Sequence, residues 1–121
     1  MTSKYVFDTY AIMEIINGNK NYLPYLTSGI IINNFIFAEL SYVLFRDKDK
    51  NAKEHLEKYS KFIKSVKPEW IREAMEFRLQ WKDRSVSITD CVSYIMAKRI
   101  GLKFLTGDKE FEGIEGIEFV K

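Results

Sequence analysis

The chain has 121 residues, a formal net charge of +2 and one cysteine, Cys91, so one domain over residues 1–121 and no internal disulfide are expected. The near-balanced charge leaves any affinity for a polyanion to the local placement of Lys and Arg. The chain starts without a basic segment followed by an apolar signal region, and its apolar runs are far shorter than the roughly 20 residues of a membrane span. We therefore expect a cytoplasmic protein without a transmembrane segment.

Short apolar runs typical of strands alternate with longer helical patterns along the chain. In chain order the prediction is a strand at 5–7, a helix at 11–16, a strand at 30–32, helices at about 35–45, 50–66, 68–83 and 88–100, and strands at 103–106 and 117–120. The strand at 30–32 is apolar at every position, as expected of a strand covered on both faces. Strands separated by helices need crossover connections, which predicts an α/β fold with three layers, α/β/α, around a mostly parallel sheet of about four to five strands.

Several residues mark where the predicted helices begin and end. Asn33 and Asn34 supply a cap before the second helix, Pro68 fits the first turn of the fourth, and Gly101 is suited to end the fifth. The fourth helix carries an apolar stripe that includes Trp70 and Trp81, which we expect to lie in the core or at a dimer interface.

Four carboxylates stand where this apolar patterning breaks off. Asp8 follows the first strand, Glu39 lies on an otherwise apolar helix, and Asp90 opens the last helix; Asp108 lies just past the third strand. In parallel sheets with helical crossovers, ligands bind beyond the carboxyl ends of the strands at a topological switch point. We therefore expect the aspartates to converge at one edge of the sheet, with Glu39 in need of a partner or a cleft.

Each acid also has a purely structural explanation. Asp8 could cap a helix, Ser87 and Asp90 match a capping box, and Asp108 follows a glycine in an ordinary turn. Glu39 has the weakest such explanation, since a carboxylate on an apolar helix is costly to bury without a cation or donors. The functional interpretation thus depends on the four acids occurring together in this order.

Four segments that carry these acids resemble the motifs of a known family. They are Val6-Phe7-Asp8-Thr9, Phe37-Ala38-Glu39-Leu40, Ser87-Ile88-Thr89-Asp90-Cys91 and Phe104-Leu105-Thr106-Gly107-Asp108-Lys109-Glu110-Phe111. In this order, over essentially the whole chain, they resemble the PIN domain nucleases, and especially the VapC-type toxins of VapBC toxin–antitoxin pairs. The resemblance implies a doubly wound parallel sheet, RNA cleavage that depends on Mg²⁺ or Mn²⁺, a homodimer, and a small antitoxin that inserts into the active-site groove.

The resemblance also implies roles for individual residues. The acidic quartet that holds the metal is matched by Asp8, Glu39, Asp90 and Asp108, and the supporting hydroxyl positions are matched by Thr9 and Thr106. The chemistry agrees, because Mg²⁺ prefers oxygen ligands and is usually held by carboxylates. A lone histidine and a lone cysteine cannot form a structural zinc site or a histidine acid–base pair, which leaves water activated by a metal as the nucleophile.

An RNA substrate needs positive charge around such an acidic site. Arg84 and Lys109 flank the motifs and, together with Arg46, are predicted to contact RNA. The lysines of the third helix are interpreted as an ordinary solvated face.

Three other functions were compared with this one. A phosphatase of the haloacid dehalogenase type needs a second aspartate two residues after the first, and Tyr10 stands there. A solitary RNA-processing nuclease shares the expected fold. A non-catalytic PIN-like module that binds RNA or protein is the alternative of a different class, and retention of all four acids disfavours it.

Overall fold

The computed structural model describes residues 3–121, which contain four strands and five α-helices. Their bounds are β1 (Lys4–Phe7), α1 (Thr9–Ile16), β2 (Gly29–Ile31), α2 (Asn34–Arg46), α3 (Ala52–Ser60), α4 (Pro68–Gln80), α5 (Ile88–Arg99), β3 (Lys103–Thr106) and β4 (Ile117–Phe119). Two short 3-10 helices, Lys20–Tyr25 and Lys109–Phe111, precede β2 and follow β3.

The four strands form one parallel sheet in the order β2-β1-β3-β4. Because β1 pairs with β2 on one side and with β3 on the other, the topological switch point lies between β1 and β3. The crossover from β1 through α1 to β2 and the crossover from β2 past β1 to β3 run in opposite directions across the sheet, which places their helices on opposite faces when both are right-handed. The predicted α/β fold with a parallel sheet of four to five strands is confirmed.

The core is centred on β1, β3 and α5. Both central strands end in fully buried residues, and every residue of α5 from position 90 to 97 is buried. A helix that is buried on all sides packs between other elements, and α5 contacts α4, α2, β1 and β3. Asp90 is therefore held in the best-packed part of the molecule.

Strand β2 differs from the prediction. Its residues Gly29–Ile31 are half-buried, whereas a strand covered on both faces was expected. The reason is topological, since β2 is an edge strand that pairs with β1 alone. The following Ile32 is fully buried and forms an isolated parallel bridge with Ile63.

The third helix is shorter than predicted. It ends at Ser60 and does not reach position 66. The chain after it returns to the sheet edge, where the amide of Ile32 donates to the carbonyl of Phe62 at 3.0 Å and that of Lys64 donates to Ile32 at 2.9 Å. Apolar residues at positions that also fit a helix are used here for strand-like pairing.

The other helix ends follow the predictions. Asn33 caps α2 by accepting a hydrogen bond from the amide of Ile36 at 2.9 Å, and Pro68 is the first residue of α4. Gly101 has φ +73°, the left-handed conformation that glycine adopts most easily after a helix. Within residues 3–121, no helix is long and apolar enough to cross a membrane.

Candidate active site

Asp8 lies at the carboxyl end of β1, at the switch point. Its amide donates to the carbonyl of Leu105 in β3 at 3.0 Å, so the residue is the last point of contact between the two central strands. It occupies the N-cap position of α1, yet its carboxylate makes no capping hydrogen bond. The side chain instead accepts a hydrogen bond from the Thr106 hydroxyl at 2.7 Å, and only 3% of the residue is exposed. Helix capping therefore does not explain this carboxylate.

Thr106 links the ends of β1 and β3. Its hydroxyl donates to Asp8 Oδ2 and accepts from the amide of Asp108 at 3.1 Å. Asp108 in turn accepts from the amide of Glu110 at 3.0 Å, which is the turn geometry expected after Gly107. One buried hydroxyl thus holds Asp8 and the backbone of Asp108 in a fixed relation.

Asp90 forms the predicted capping box at the start of α5. Its amide donates to Ser87 Oγ at 3.0 Å, and its Oδ2 accepts from the amide of Ser87 at 2.9 Å. The explanation of Asp90 as a helix-capping residue is therefore confirmed. The same residue is nine-tenths buried, and this burial and the charges of Glu39 and Asp108 raise its pKa. Capping and membership of an acidic site are combined in one side chain.

Glu39 is half-buried on α2. Among residues 3–121 it takes part in no side-chain hydrogen bond and in none of the ion pairs that the structure contains. Its charge acts on both Asp8 and Asp90. The partner that a carboxylate on an apolar helix requires is therefore not supplied by this part of the chain.

The four carboxylates are called the acidic cluster from here on, and the pKa values of two of them, Asp8 and Asp90, are raised. The pKa of Asp8 is raised to about 8, first by burial and then by the charge of Asp90, against the hydrogen bond from Thr106. The pKa of Asp90 is raised to about 6, first by burial, against the Ser87 backbone hydrogen bond, and also by the charges of Glu39 and Asp108. Without a cation, the cluster holds a proton near neutral pH, and the two aspartates titrate as a pair.

The donor set of the acidic cluster suits a hard divalent cation. Asp8, Asp90 and Asp108 each use one carboxylate oxygen for a hydrogen bond within the described residues, which leaves the other oxygen for a ligand. In residues 3–121, no group of three or more His, Cys, Asp or Glu side chains is already arranged as a coordination shell. Mutual repulsion opposes closer approach of these carboxylates when no cation neutralises them. The oxygen chemistry therefore fits Mg²⁺ or Mn²⁺.

Two small residues beside the acids are constrained by their surroundings. The Thr9 hydroxyl is buried without a hydrogen-bond partner among the described residues. A Cβ atom added to Gly107 would lie 2.3 Å from the Tyr10 ring and 2.3 Å from the Val120 carbonyl oxygen. Glycine is required at that position because the segment that contains Asp108 packs closely against Tyr10, which lies two residues after Asp8.

The residues predicted to contact RNA occupy different places. Arg84 lies in the loop between α4 and α5, and its Nη1 donates to the carbonyl of Glu110, in the segment that follows β3, at 3.0 Å. Lys109 is exposed directly after Asp108. Arg46 ends α2, about two turns or 10 Å beyond Glu39, and is paired with its neighbour Asp47 at 3.0 Å. The structure brings the first two to the acidic cluster and leaves Arg46 further away.

Sequence reasoning missed one connection to the acidic cluster. Asn33, fully buried, donates from Nδ2 to Ser93 Oγ at 3.1 Å and so joins the start of α2 to α5. These two helices carry Glu39 and Asp90. The capping role of Asn33 was visible in the sequence, whereas nothing local signals its contact with a residue 60 positions away.

A PIN domain family model matches residues 5–117. The chain belongs to the PIN domain family. The match to this family of nucleases covers nearly the whole chain, including all four carboxylates, and the resemblance predicted from the sequence is confirmed. A sequence comparison with curated proteins finds no match.

Several solved structures are similar to this fold. Mycobacterium tuberculosis VapC20, a sarcin-ricin loop cleaving toxin, aligns with a TM-score of 0.79 and 15% identity over 98% of this chain and 100% of that chain. A toxin–antitoxin complex from Klebsiella pneumoniae aligns with a TM-score of 0.75 and 19% identity over 93% and 94%. VapBC-5 from Mycobacterium tuberculosis, a toxin–antitoxin system, aligns with a TM-score of 0.68 and 19% identity over 98% of both chains. At these identities the likeness shows a shared fold.

Proposed function

We propose that this PIN domain is a metal-dependent endoribonuclease and the toxin of a type II toxin–antitoxin pair. The observation that carries the proposal is the acidic cluster at the switch point, with raised pKa values at Asp8 and Asp90 and no pairing cation among the described residues. The likeness to VapC20 and to two toxin–antitoxin systems supports the toxin assignment. Clustered acids of this kind favour catalysis over simple binding.

Asp8, Asp90 and Asp108 would hold Mg²⁺ or Mn²⁺ through their free oxygens, and Glu39 would ligate the ion or orient a water bound to it. When bound, such an ion supplies an activated water and stabilises charge on the phosphoryl group. Asp8 would have to be ionised to hold the ion, because a carboxylate ligand is deprotonated.

The remaining residues orient these carboxylates. The Thr106 hydroxyl donates to one oxygen of Asp8 and so fixes the carboxylate, whose other oxygen would be available to the ion. The Ser87 amide does the same for Asp90, and the Glu110 amide for Asp108. These donors reduce the conformational freedom of the ligands before a substrate arrives.

The direct test is RNA cleavage by the wild type and by Asp90→Asn, with and without chelator. We expect Mn²⁺-dependent cleavage of structured RNAs by the wild type and none by the variant. An asparagine keeps the oxygen that accepts from Ser87, so the capping box survives and the loss reports on charge. Equal cleavage by both proteins, or cleavage that resists chelator, would contradict the proposal.

The partners follow from the same proposal. We expect a homodimer and a cognate small antitoxin that enters the active-site groove. A neighbouring reading frame that combines a DNA-binding motif with an amphipathic tail would support the toxin role, and its absence would favour a solitary RNA-processing nuclease. A non-catalytic binding module would show no Mn²⁺-dependent cleavage and no loss on Asp8→Asn.

A further inference from the structure

A cleft of about 270 Å³ opens between the C-terminal part of α4 and the loop that leads into α5. Among its lining residues are three cations and one indole but no carboxylate, and we call it the basic cleft: Arg78, Leu79, Trp81, Lys82, Arg84 and Val86. Asp83 is adjacent in sequence but does not line the cleft. The cleft is smaller than the roughly 300–1,000 Å³ of sites that enclose a small molecule. It therefore suits part of a larger ligand.

The two arginines of the basic cleft are held in place. The guanidinium carbon of Arg84 lies 4.5 Å from the centre of the Trp81 ring, and its Nη1 donates to the Glu110 carbonyl at 3.0 Å. Arg78 Nε donates to the carbonyl of Val86 at 3.3 Å. Cations that are already ordered lose less freedom when an anion binds.

The basic cleft adjoins the acidic cluster through two segments. Arg84 binds the carbonyl of Glu110, and the amide of the same Glu110 donates to Asp108 at 3.0 Å. Val86 is four residues before Asp90, a span of at most about 14 Å. A polymer that reaches the acidic cluster can thus occupy the basic cleft at the same time.

We propose that the basic cleft binds the single-stranded RNA segment next to the scissile phosphate. This proposal rests on the proposed nuclease function. Lys82, which takes part in no hydrogen bond or ion pair among the described residues, contacts a phosphate. A base contacts the pair formed by the half-buried Trp81 ring and the Arg84 guanidinium above it, since bases stack on aromatic rings and on guanidinium planes. The carboxylates of the acidic cluster repel phosphates, so adjacent cations have to supply the attraction.

The position of the cations favours RNA over a helix of a protein partner. Met75 also lines the basic cleft, and with Ile71 and Leu79 it forms an apolar strip along α4. Arg84 lies past the end of α4 and contacts the segment that follows Asp108. A phosphate chain that reaches the acidic cluster therefore meets the cations, whereas a helix docked on the apolar strip would lie along α4.

The test compares Lys82→Gln with Lys61→Gln, both in an Asp8→Asn background so that RNA is not cut. Lys61 is an exposed lysine at the end of α3, and its loss changes the net charge equally. Binding of a labelled single-stranded RNA of about 12 nucleotides is followed against salt concentration. We expect Lys82→Gln to weaken binding about 3- to 10-fold near 0.1 M salt and to reduce the salt slope by about 0.7, with Lys61→Gln unchanged.

A second measurement detects the base contact. In a Trp70→Phe variant, Trp81 is the only tryptophan left, and its fluorescence should be quenched by RNA but not by an abasic strand of the same length. Equal quenching by both strands, or none, would contradict the base contact.

The outcomes separate this proposal from the proposed function. A wild type that neither binds nor cleaves RNA would overturn both. Wild-type cleavage with Mn²⁺, combined with equal binding by Lys82→Gln and Lys61→Gln, would overturn the cleft alone. If Lys82→Gln binds RNA normally but loses an antitoxin, the basic cleft is a protein-binding site and the proposal is wrong.

Discussion

The acidic cluster and the basic cleft are adjacent, yet they are built in opposite ways. Two of the four acids, Asp8 and Asp90, are buried and held by hydrogen bonds, and their pKa values are raised first by burial and also by neighbouring carboxylates. The cations of the cleft are exposed, and two of the three are fixed by backbone carbonyls. Concentrating negative charge in the core costs stability, whereas exposed cations cost little. This difference supports the proposal that the acidic cluster binds a ligand, because the cluster has a cost in stability that the basic cleft lacks.

The largest expected effect comes from Asp8→Asn, which removes a buried carboxylate from the acidic cluster. We expect metal-dependent RNA cleavage to fall by at least about 100-fold, since a lost ligand should cost no less than a lost supporting group. Cleavage assays with Mn²⁺ measure the loss. Asp83→Asn, which changes an exposed carboxylate beside the basic cleft, is the matched control and should keep its activity.

In the absence of metal, Asp8→Asn is expected to stabilise the folded protein although it lowers RNA cleavage. The pKa of Asp8 is about 8 in the folded protein against 3.8 for the ordinary side chain, so the folded state binds the extra proton between these values. Stability is then lost as pH rises from about 4 to about 8, and Asp8→Asn abolishes that loss. Thermal unfolding in chelator should show the variant gaining stability over the wild type at about pH 8, more than at about pH 4. An equal difference at both pH values would contradict the raised pKa.

Thr106→Val removes the hydroxyl that holds Asp8 and Asp108 while keeping the shape of the side chain. We expect metal affinity and cleavage to fall about 10- to 100-fold, because the carboxylate loses its orienting donor. Mn²⁺ titration and cleavage rates measure both. Thr27→Val makes the same atomic change at an exposed loop position and should leave both unchanged.

Gly107→Ala tests how tightly the supports of the acidic cluster are packed. The added methyl group would meet a backbone carbonyl and an aromatic ring at 2.3 Å, so we expect a loss of about 1–3 kcal/mol in the free energy of unfolding. In Gly29→Ala the nearest atoms belong to the flexible Lys4 side chain, at 2.9 Å. Urea denaturation should show a much smaller loss for that control; equal losses would mean that the chain near Gly107 can relax.

The contact between Asn33 and Ser93 should contribute less. Removing each side chain to Ala, singly and together, gives a double-mutant cycle for the hydrogen bond that joins α2 to α5. We expect a coupling of about 0.5–1.5 kcal/mol in unfolding free energy. No coupling would show that the two helices are held by apolar packing alone.

The smallest effects are expected for Lys109 and Arg46, two exposed cations outside the basic cleft. Lys109→Gln should raise KM for RNA about 2- to 5-fold through a lost phosphate contact, with kcat unchanged. Arg46→Gln should change KM less, since this residue is paired with Asp47 away from the cluster. A larger effect of Arg46 would place the RNA path along α2 rather than through the basic cleft.

Much of the fold was predictable because local signals agreed with it. Capping residues, Pro68 and Gly101 marked helix ends, and the alternation of strands and helices required a parallel sheet. The third helix was predicted too long, because the apolar residues at 62–63 suit a helix and a sheet bridge equally. The half-buried state of β2 was not predictable, since its place at the sheet edge depends on strand order.

The identities of the four acids, and the positions of the three aspartates at the ends of elements and of Glu39 within an apolar helix, were determined by the sequence alone. What the tertiary structure decided is which of their oxygens are engaged, how far burial raises their pKa, and which cations stand beside them. Hydrogen bonds such as those of Asp8 with Thr106 and of Arg84 with Glu110 join residues 98 and 26 positions apart. Such contacts follow from strand order and packing, and no local pattern of residues encodes them.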